Sequence, residues 1–188
     1  IEMGDLFRDE ARLVLQSDAA DPWRIPLHTT PAWLQLELAV GWYDQALQAL
    51  PEADPDGRIA LLRAVTMSRL DRPDDAFAEY ARLIRTYRGT PYVEMAKLAV
   101  GDHHLRAGDV DRARTAYKLV RENRDPELAA YAAYRLADCA ARRGDSERAV
   151  EDLASIVGDP RPSPLLGMLQ DASRTALANH LAWSEPLP

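Results

Sequence analysis

An all-α fold is what this 188-residue sequence predicts: an α-solenoid of three to four helical hairpins, with an N-terminal helix and a C-terminal capping helix. Three observations predict it. First, one short pattern occurs four times: a small turn, an alanine five residues on, and a bulky residue four beyond that. The copies are Gly41…Ala46…Leu50, Asp71…Ala76…Tyr80, Gly108…Ala113…Tyr117 and Gly144…Ala149…Leu153, and the last three alanines stand 37 and 36 residues apart. Spacing of that size, with helical punctuation, is the mark of stacked helix–turn–helix units. Second, the 13 Pro and 9 Gly fall mostly between helical segments, where they stop one helix and start the next. Third, the chain shows no period-2 alternation of strand length.

Each element follows in order. Residues 3–17 read as an amphipathic helix with Leu6, Phe7, Leu13 and Val14 towards one side. Asp21-Pro22-Trp23-Arg24-Ile25-Pro26 forms an extended connector, because two prolines in five residues restrict their own and the preceding backbone. Trp23 there reads as pinning the connector to the helices, with a binding role as the alternative. Thr30 caps and Pro31 opens the next helix, with Trp33, Leu36, Val40, Tyr43, Leu47 and Leu50 at helical spacing. Two readings compete for this segment: a short hairpin turning at Gly41, which the repeat pattern favours, or one unbroken helix from Pro31 to Leu50. Helices are then predicted over 57–70 and 73–87, with Asp71-Arg72-Pro73-Asp74 as the turn between them. Gly89 ends the second of these and Thr90 caps a helix over 91–107. Gly108-Asp109 turns into 110–122, Asp125-Pro126 starts a helix to about 143, and Gly144-Asp145 turns into 146–157, where Ser146 to Ala149 suit a cap. A proline-rich loop over 158–164 precedes a last helix over 165–183 and a proline-containing tail. The organisation is therefore 1–30 as helix and connector, 31–163 as repeats, and 164–188 as capping helix and tail.

Composition narrows the function. Apolar residues are 47% and charged residues 28%, ordinary for a folded soluble chain. Only 2 Phe in an alanine-rich background point to helices packed closely through small side chains. Lys and Arg number 23 against 30 Asp and Glu, a net charge of −7 with no basic tract, so nucleic acid is a poor partner. No stretch approaches the roughly 20 apolar residues a bilayer span needs. No signal peptide is visible, and a chain that starts at Ile1 rather than Met leaves the compartment open. The lone Cys139 rules out an intramolecular disulfide and a cysteine-based metal cluster, and its Ala-Asp-Cys-Ala-Ala setting reads as a buried small hydrophobe.

Val100-Gly101-x-x-His104…Gly108-Asp109…Ala113-x-x-x-Tyr117 resembles a tetratricopeptide (TPR) repeat. So do Leu136-Ala137-x-x-Ala140…Gly144-Asp145…Ala149-x-x-x-Leu153 and Ala64-x-x-Met67…Asp71…Ala76-x-x-x-Tyr80. Gly101, Ala137 and Ala64 let the two helices of a hairpin touch, as do Ala76, Ala113 and Ala149 from the second helix. Tyr80, Tyr117 and Leu153 fill the gap to the next repeat. The resemblance covers about 56–157 well and 31–50 weakly. It departs from the family pattern early in the first helix, where Ala60, Lys97 and Ala133 replace the expected tryptophan, and the repeats exceed the common 34 residues. A narrower likeness, in Tyr87-Arg88-Gly89-Thr90-Pro91-Tyr92 and in 133–139, is to TPR proteins of the bacterial cell envelope, including outer-membrane assembly lipoproteins and periplasmic coiled-coil–TPR proteins.

The resemblance implies that the first helix of each hairpin lines a concave groove. Its candidate partner-binding residues are Arg69, Leu98, Asp102, Leu105, Arg106, Tyr131, Tyr134, Asp138 and Arg142. Arg69, Arg106 and Arg142 recur in one row, suited to a carboxylate-bearing peptide or an acidic surface. The competing reading pairs each arginine with a nearby acid such as Asp102 or Asp138. The Lys/Asn clamp of chaperone-binding relatives is missing, with Leu61, Leu98 and Tyr134 in its place. Apolar Leu98, Leu105, Tyr131 and Tyr134 suit a helix or an extended segment instead.

His103-His104 is the only tempting metal pair, but adjacent helical side chains point about 100° apart, and Asp102 and Asp109 complete no ligand motif. His104 falls at a packing position. Asp74-Asp75 and Asp54…Asp56 suit helix starts. No nucleophile elbow, phosphate loop or Cys/His arrangement occurs. The expectation is a non-enzymatic scaffold without metal or cofactor, holding a protein or peptide segment in a multi-protein complex. The alternative is a structural subunit that self-associates through its terminal helices or tryptophans, Trp183 among them.

Overall fold

A computed structural model describes residues 32–49, 54–160 and 163–184. The expected helix over 3–17, the connector with Trp23, the Thr30-Pro31 start and the C-terminal tail lie outside the described residues. Within them the chain is helical, with no strand. The helices are α1 (Ala32–Ala49), α2 (Arg58–Arg69), α3 (Pro73–Thr86), α4 (Pro91–Arg106), α5 (Val110–Lys118), α6 (Pro126–Arg142), α7 (Ser146–Val157) and α8 (Pro164–Ser184).

Local chemistry sets these boundaries. Asp71, Gly108 and Gly144, the turn residues of the repeat, all take the left-handed conformation, with φ of 57°, 81° and 78°. The residue after each glycine then caps the following helix: Asp109 accepts from the Arg112 N–H and Asp145 from the Arg148 N–H, both at 3.1 Å. Asp125 caps α6 by accepting from the Glu127 N–H at 2.9 Å. Such caps contribute about 1 kcal/mol each. At α7 the cap is thus Asp145, one residue ahead of the expected Ser146. Thr90 precedes α4 with extended backbone but makes no capping hydrogen bond through its side chain, contrary to expectation. Helix α5 stops at Lys118, four residues short of its predicted end.

The largest correction is at Gly41. Helix α1 runs unbroken from Ala32 to Ala49, so the favoured hairpin there does not form. The physical reason lies one residue on. Gly108 and Gly144 are followed by a capping aspartate, and Asp71 by Arg72-Pro73; Gly41 is followed by Trp42-Tyr43, which neither caps nor starts a helix.

Consecutive helices pack in antiparallel succession along the whole stack. In addition α2 packs on α4, α4 on α6 and α6 on α8, so the first helices of the hairpins touch one another. The second helices α3, α5 and α7 make no comparable contact, so the stack bends towards its first helices. Helix α8 packs on both α6 and α7, and so covers the last hairpin.

Small residues bring the helices together. Ala60, Ala64, Ala96, Ala113 and Ala132 are fully buried. Gly101 shows why a glycine was required: an ideal Cβ there would lie 2.4 Å from Cε1 of Tyr117. Tyr117 is itself wholly buried and joins α4, α5 and α6 in one core cluster with Leu98, Leu105, Leu128 and Cys139. Asp54, buried just before α2, accepts from the N–H groups of Ile59 and Ala60 at 2.9 and 3.0 Å and from the Tyr87 hydroxyl at 3.1 Å. It thereby ties the start of one hairpin to the end of the same hairpin.

Candidate functional site

The open side of the first helices α4 and α6 carries a chain of alternating charges. Asp102 on α4 is its anchor. It accepts from the Tyr117 hydroxyl at 2.6 Å and the Tyr131 hydroxyl at 2.9 Å, and pairs with Arg135 Nε at 2.9 Å. Arg135 also donates to the Tyr131 hydroxyl at 3.2 Å, and its guanidinium sits 5.4 Å from that ring's centre. Its other end approaches Asp138 at 4.0 Å, and Asp138 pairs with Arg142 Nε at 2.9 Å. Arg106 donates through Nε to the Asp102 backbone carbonyl at 3.3 Å.

Burial and charge tune this row. Burial, and then hydrogen bonding to Asp102, push the Tyr117 hydroxyl well above its ordinary range. Tyr131 is pushed up to about 12, first by burial and then by the Asp102 charge. Burial by itself would depress Arg135, but Asp102 and the phenols more than offset it, so the guanidinium stays charged. Burial also raises the Tyr80 hydroxyl, while the charges of Arg106 and Arg69 act against that rise and Asp102 adds to it. The row is therefore an interlocked set of acceptors and donors in which Asp102 holds two phenols and Arg135.

Several expected residues are brought together here. Asp102, Tyr131, Asp138 and Arg142 form one connected network, with Arg106 on its edge and exposed. The arginine row divides: Arg142 is taken by Asp138, as the pairing reading held, whereas Asp102 spends its carboxylate on Tyr117, Tyr131 and Arg135. Arg69 is exposed at the end of α2. Leu98 and Leu105 are corrections. They are 6% and 4% exposed and face the Tyr117 cluster, not the open groove. Leu61 is likewise core. Helix α4 is covered by α2, α3, α5 and α6, which leaves a narrower free stripe than a helix at the surface would have.

Arg135 was missed by the sequence reading, although the spacing Tyr131…Arg135…Asp138…Arg142 on one helix held the signal. Tyr134 is half-buried and lines a cleft of about 410 Å³ with Asp138, Ala141, Leu153 and Ala176, among others, between α6, α7 and α8. His103 stacks on Phe77 with ring centres 4.4 Å apart, and His104 meets the same ring edge-on at 5.3 Å. Through these ring contacts both histidines pack between α3 and α4, and burial lowers the His104 pKa. Among the described residues no cluster of His, Cys, Asp and Glu has the geometry of a metal site, and no helix is long and apolar enough to cross a membrane. Cys139 is buried, as its sequence setting predicted.

A family model described as a tetratricopeptide repeat-like domain matches residues 60–160, more than half of the 188-residue chain. A search of the curated proteins found no match.

Proposed function

This chain belongs to the tetratricopeptide repeat-like family, and on that premise we propose that it holds a segment of a partner protein in the groove of its first helices, as a scaffold within a multi-protein complex. The family's repeats are in general a protein-interaction fold without catalysis. The observation that carries the groove reading is the row Arg106, Asp102, Arg135, Asp138 and Arg142 on the open side of two adjacent helices. Alternating donors and acceptors spaced along a shallow channel suit the main chain and charged side chains of a bound segment. The cleft beside Tyr134 adds an apolar depression in the same channel. The junction residues Tyr87 to Tyr92 favour a bacterial envelope setting for that complex.

The test compares the wild-type chain with a triple Arg69→Glu, Arg106→Glu, Arg142→Glu variant that keeps its helical circular dichroism, each used to capture partners from cells. The groove reading expects a partner retained by wild type and lost by the variant. Equal capture by both refutes it. A second reading, self-association, rests on Trp33 and Trp42 of α1, which are 62% and 51% exposed. Light scattering over a hundredfold range of concentration decides it: a rising mass supports self-association, and a constant monomer mass rejects it.

A further inference from the structure

The second and third hairpins align in sequence by a shift of 36 residues, which carries Gly108 onto Gly144, Ala113 onto Ala149 and Asp102 onto Asp138. At two positions the same shift replaces a filling side chain by a smaller one. Leu105, buried in the second hairpin, becomes the exposed Ala141, and Tyr117, wholly buried, becomes Leu153. Both Ala141 and Leu153 line the cleft of about 410 Å³ between α6, α7 and α8. Among the described residues, helix α8 lines that cleft with Ala176, where α6 brings Tyr131 and Arg135 against the second hairpin. The cleft is thus the place where a phenol ring and an isobutyl group stand one repeat earlier.

We propose that this cleft is a binding pocket for a tyrosine side chain of the partner segment, with the phenol hydroxyl donating to Asp138. The proposal rests on the groove reading and names one anchor within it. Three observations choose tyrosine. In the second hairpin the space is filled by the chain's own phenol, whose hydroxyl reaches Asp102 at 2.6 Å. Asp138 stands in the position of Asp102 but pairs with Arg142 on its own helix, an exposed contact that a new donor displaces at little cost. Arg135 also lines the cleft, and its guanidinium already faces the Tyr131 ring, so a cation able to meet an aromatic face stands beside the carboxylate that would take the hydroxyl. Ala137 carries a methyl group where Gly101 has none, yet Ala64 and Tyr80 share one core in the first hairpin, so a ring fits beside alanine in this architecture.

The probes are p-cresol, the tyrosine side chain alone, and toluene, which lacks the hydroxyl. Methyl NMR of the full chain reads binding at Ala137, Ala141, Ala149, Leu153 and Ala176. The proposal expects saturable shifts confined to these methyls and p-cresol binding about tenfold tighter than toluene, the worth of one hydrogen bond to a charged group. Asp138→Ala removes that preference, and Leu153→Tyr, which fills the cleft from within, abolishes both titrations. Should Leu153→Tyr not fold, Ala141→Leu restores the other missing side chain and is expected to do the same. Equal affinity for the two probes, shifts spread over other surfaces, or unchanged binding by the filled variants overturns the proposal. Partner capture that survives Leu153→Tyr but is lost in the triple arginine variant overturns the pocket and leaves the groove reading intact.

Discussion

Replacing Gly101 by alanine perturbs the tightest point of the stack. The added Cβ would lie 2.4 Å from Tyr117 Cε1 and 2.8 Å from Cδ1 and Cζ, well inside contact distance on three ring atoms. The ring is wholly buried and its hydroxyl is held by Asp102 at 2.6 Å, so moving it displaces core neighbours or breaks that hydrogen bond. Alanine in a helix interior gains about 1 kcal/mol over glycine. Overpacking costs about 1–3 kcal/mol, and swinging the ring off its carboxylate forfeits roughly 1.5–3 kcal/mol more. The net expectation is a loss of about 1.5–5 kcal/mol, read by urea unfolding followed by circular dichroism. A double variant Gly101→Ala, Tyr117→Leu reproduces the Ala137–Leu153 pair of the third hairpin. It is expected to recover part of the loss, with a coupling energy of at least about 1 kcal/mol in the cycle. An alanine variant as stable as wild type, or more so, would show that the α4–α5 contact accommodates a Cβ beside the tyrosine ring, as the core holding Ala64 and Tyr80 does. That result refutes the close-contact account of Gly101.

Further outcomes follow from single contacts. Asp54→Ala removes two capping hydrogen bonds and strands the Tyr87 hydroxyl, and is expected to cost about 2–4 kcal/mol in the same unfolding assay; a cost under about 0.5 kcal/mol contradicts the tie it forms. Arg121 and the buried Asp152 pair at 2.9 Å across two hairpins. Because Arg121 is partly exposed and Arg148 waits 3.7 Å away, Arg121→Ala is expected to cost about 1–3 kcal/mol, less than a fully enclosed pair. Burial holds the His104 pKa below its unfolded value, so the unfolded chain binds the proton first as pH falls. Stability therefore declines below about pH 6.5, and His104→Phe is expected to flatten that part of the profile of thermal midpoint against pH; an unchanged slope contradicts it.

How much was readable in the sequence differs between fold and site. The turn–alanine–bulky pattern located three hairpins because each of its residues has one local job: a left-handed turn, a close helix contact, a core filler. The same pattern misled at Gly41, since a glycine makes a turn only when the next residues can begin a new helix, and Trp42-Tyr43 cannot. At the site, Asp102, Tyr131, Asp138 and Arg142 could be grouped from the sequence, and the structure joins them in one network, because a repeat fixes which helix faces which. Leu98 and Leu105 were misplaced by the width of a helical stripe, and that width depends on how many helices cover α4, a tertiary quantity with no local signature. Arg135 and the hydroxyl of Tyr117 escaped notice for a related reason. Their role appears only when α4, α5 and α6 converge on one carboxylate.

The central claim is that the open side of the first helices is where a partner lies. Site-specific photo-crosslinking tests it most directly. A benzophenone amino acid is placed at Arg106, exposed on α4, and in a separate chain at Ala78, exposed on the second helix α3. The account predicts one crosslinked partner from position 106 in cells and none of that species from position 78. The same partner from both positions, or from position 78 alone, would contradict it.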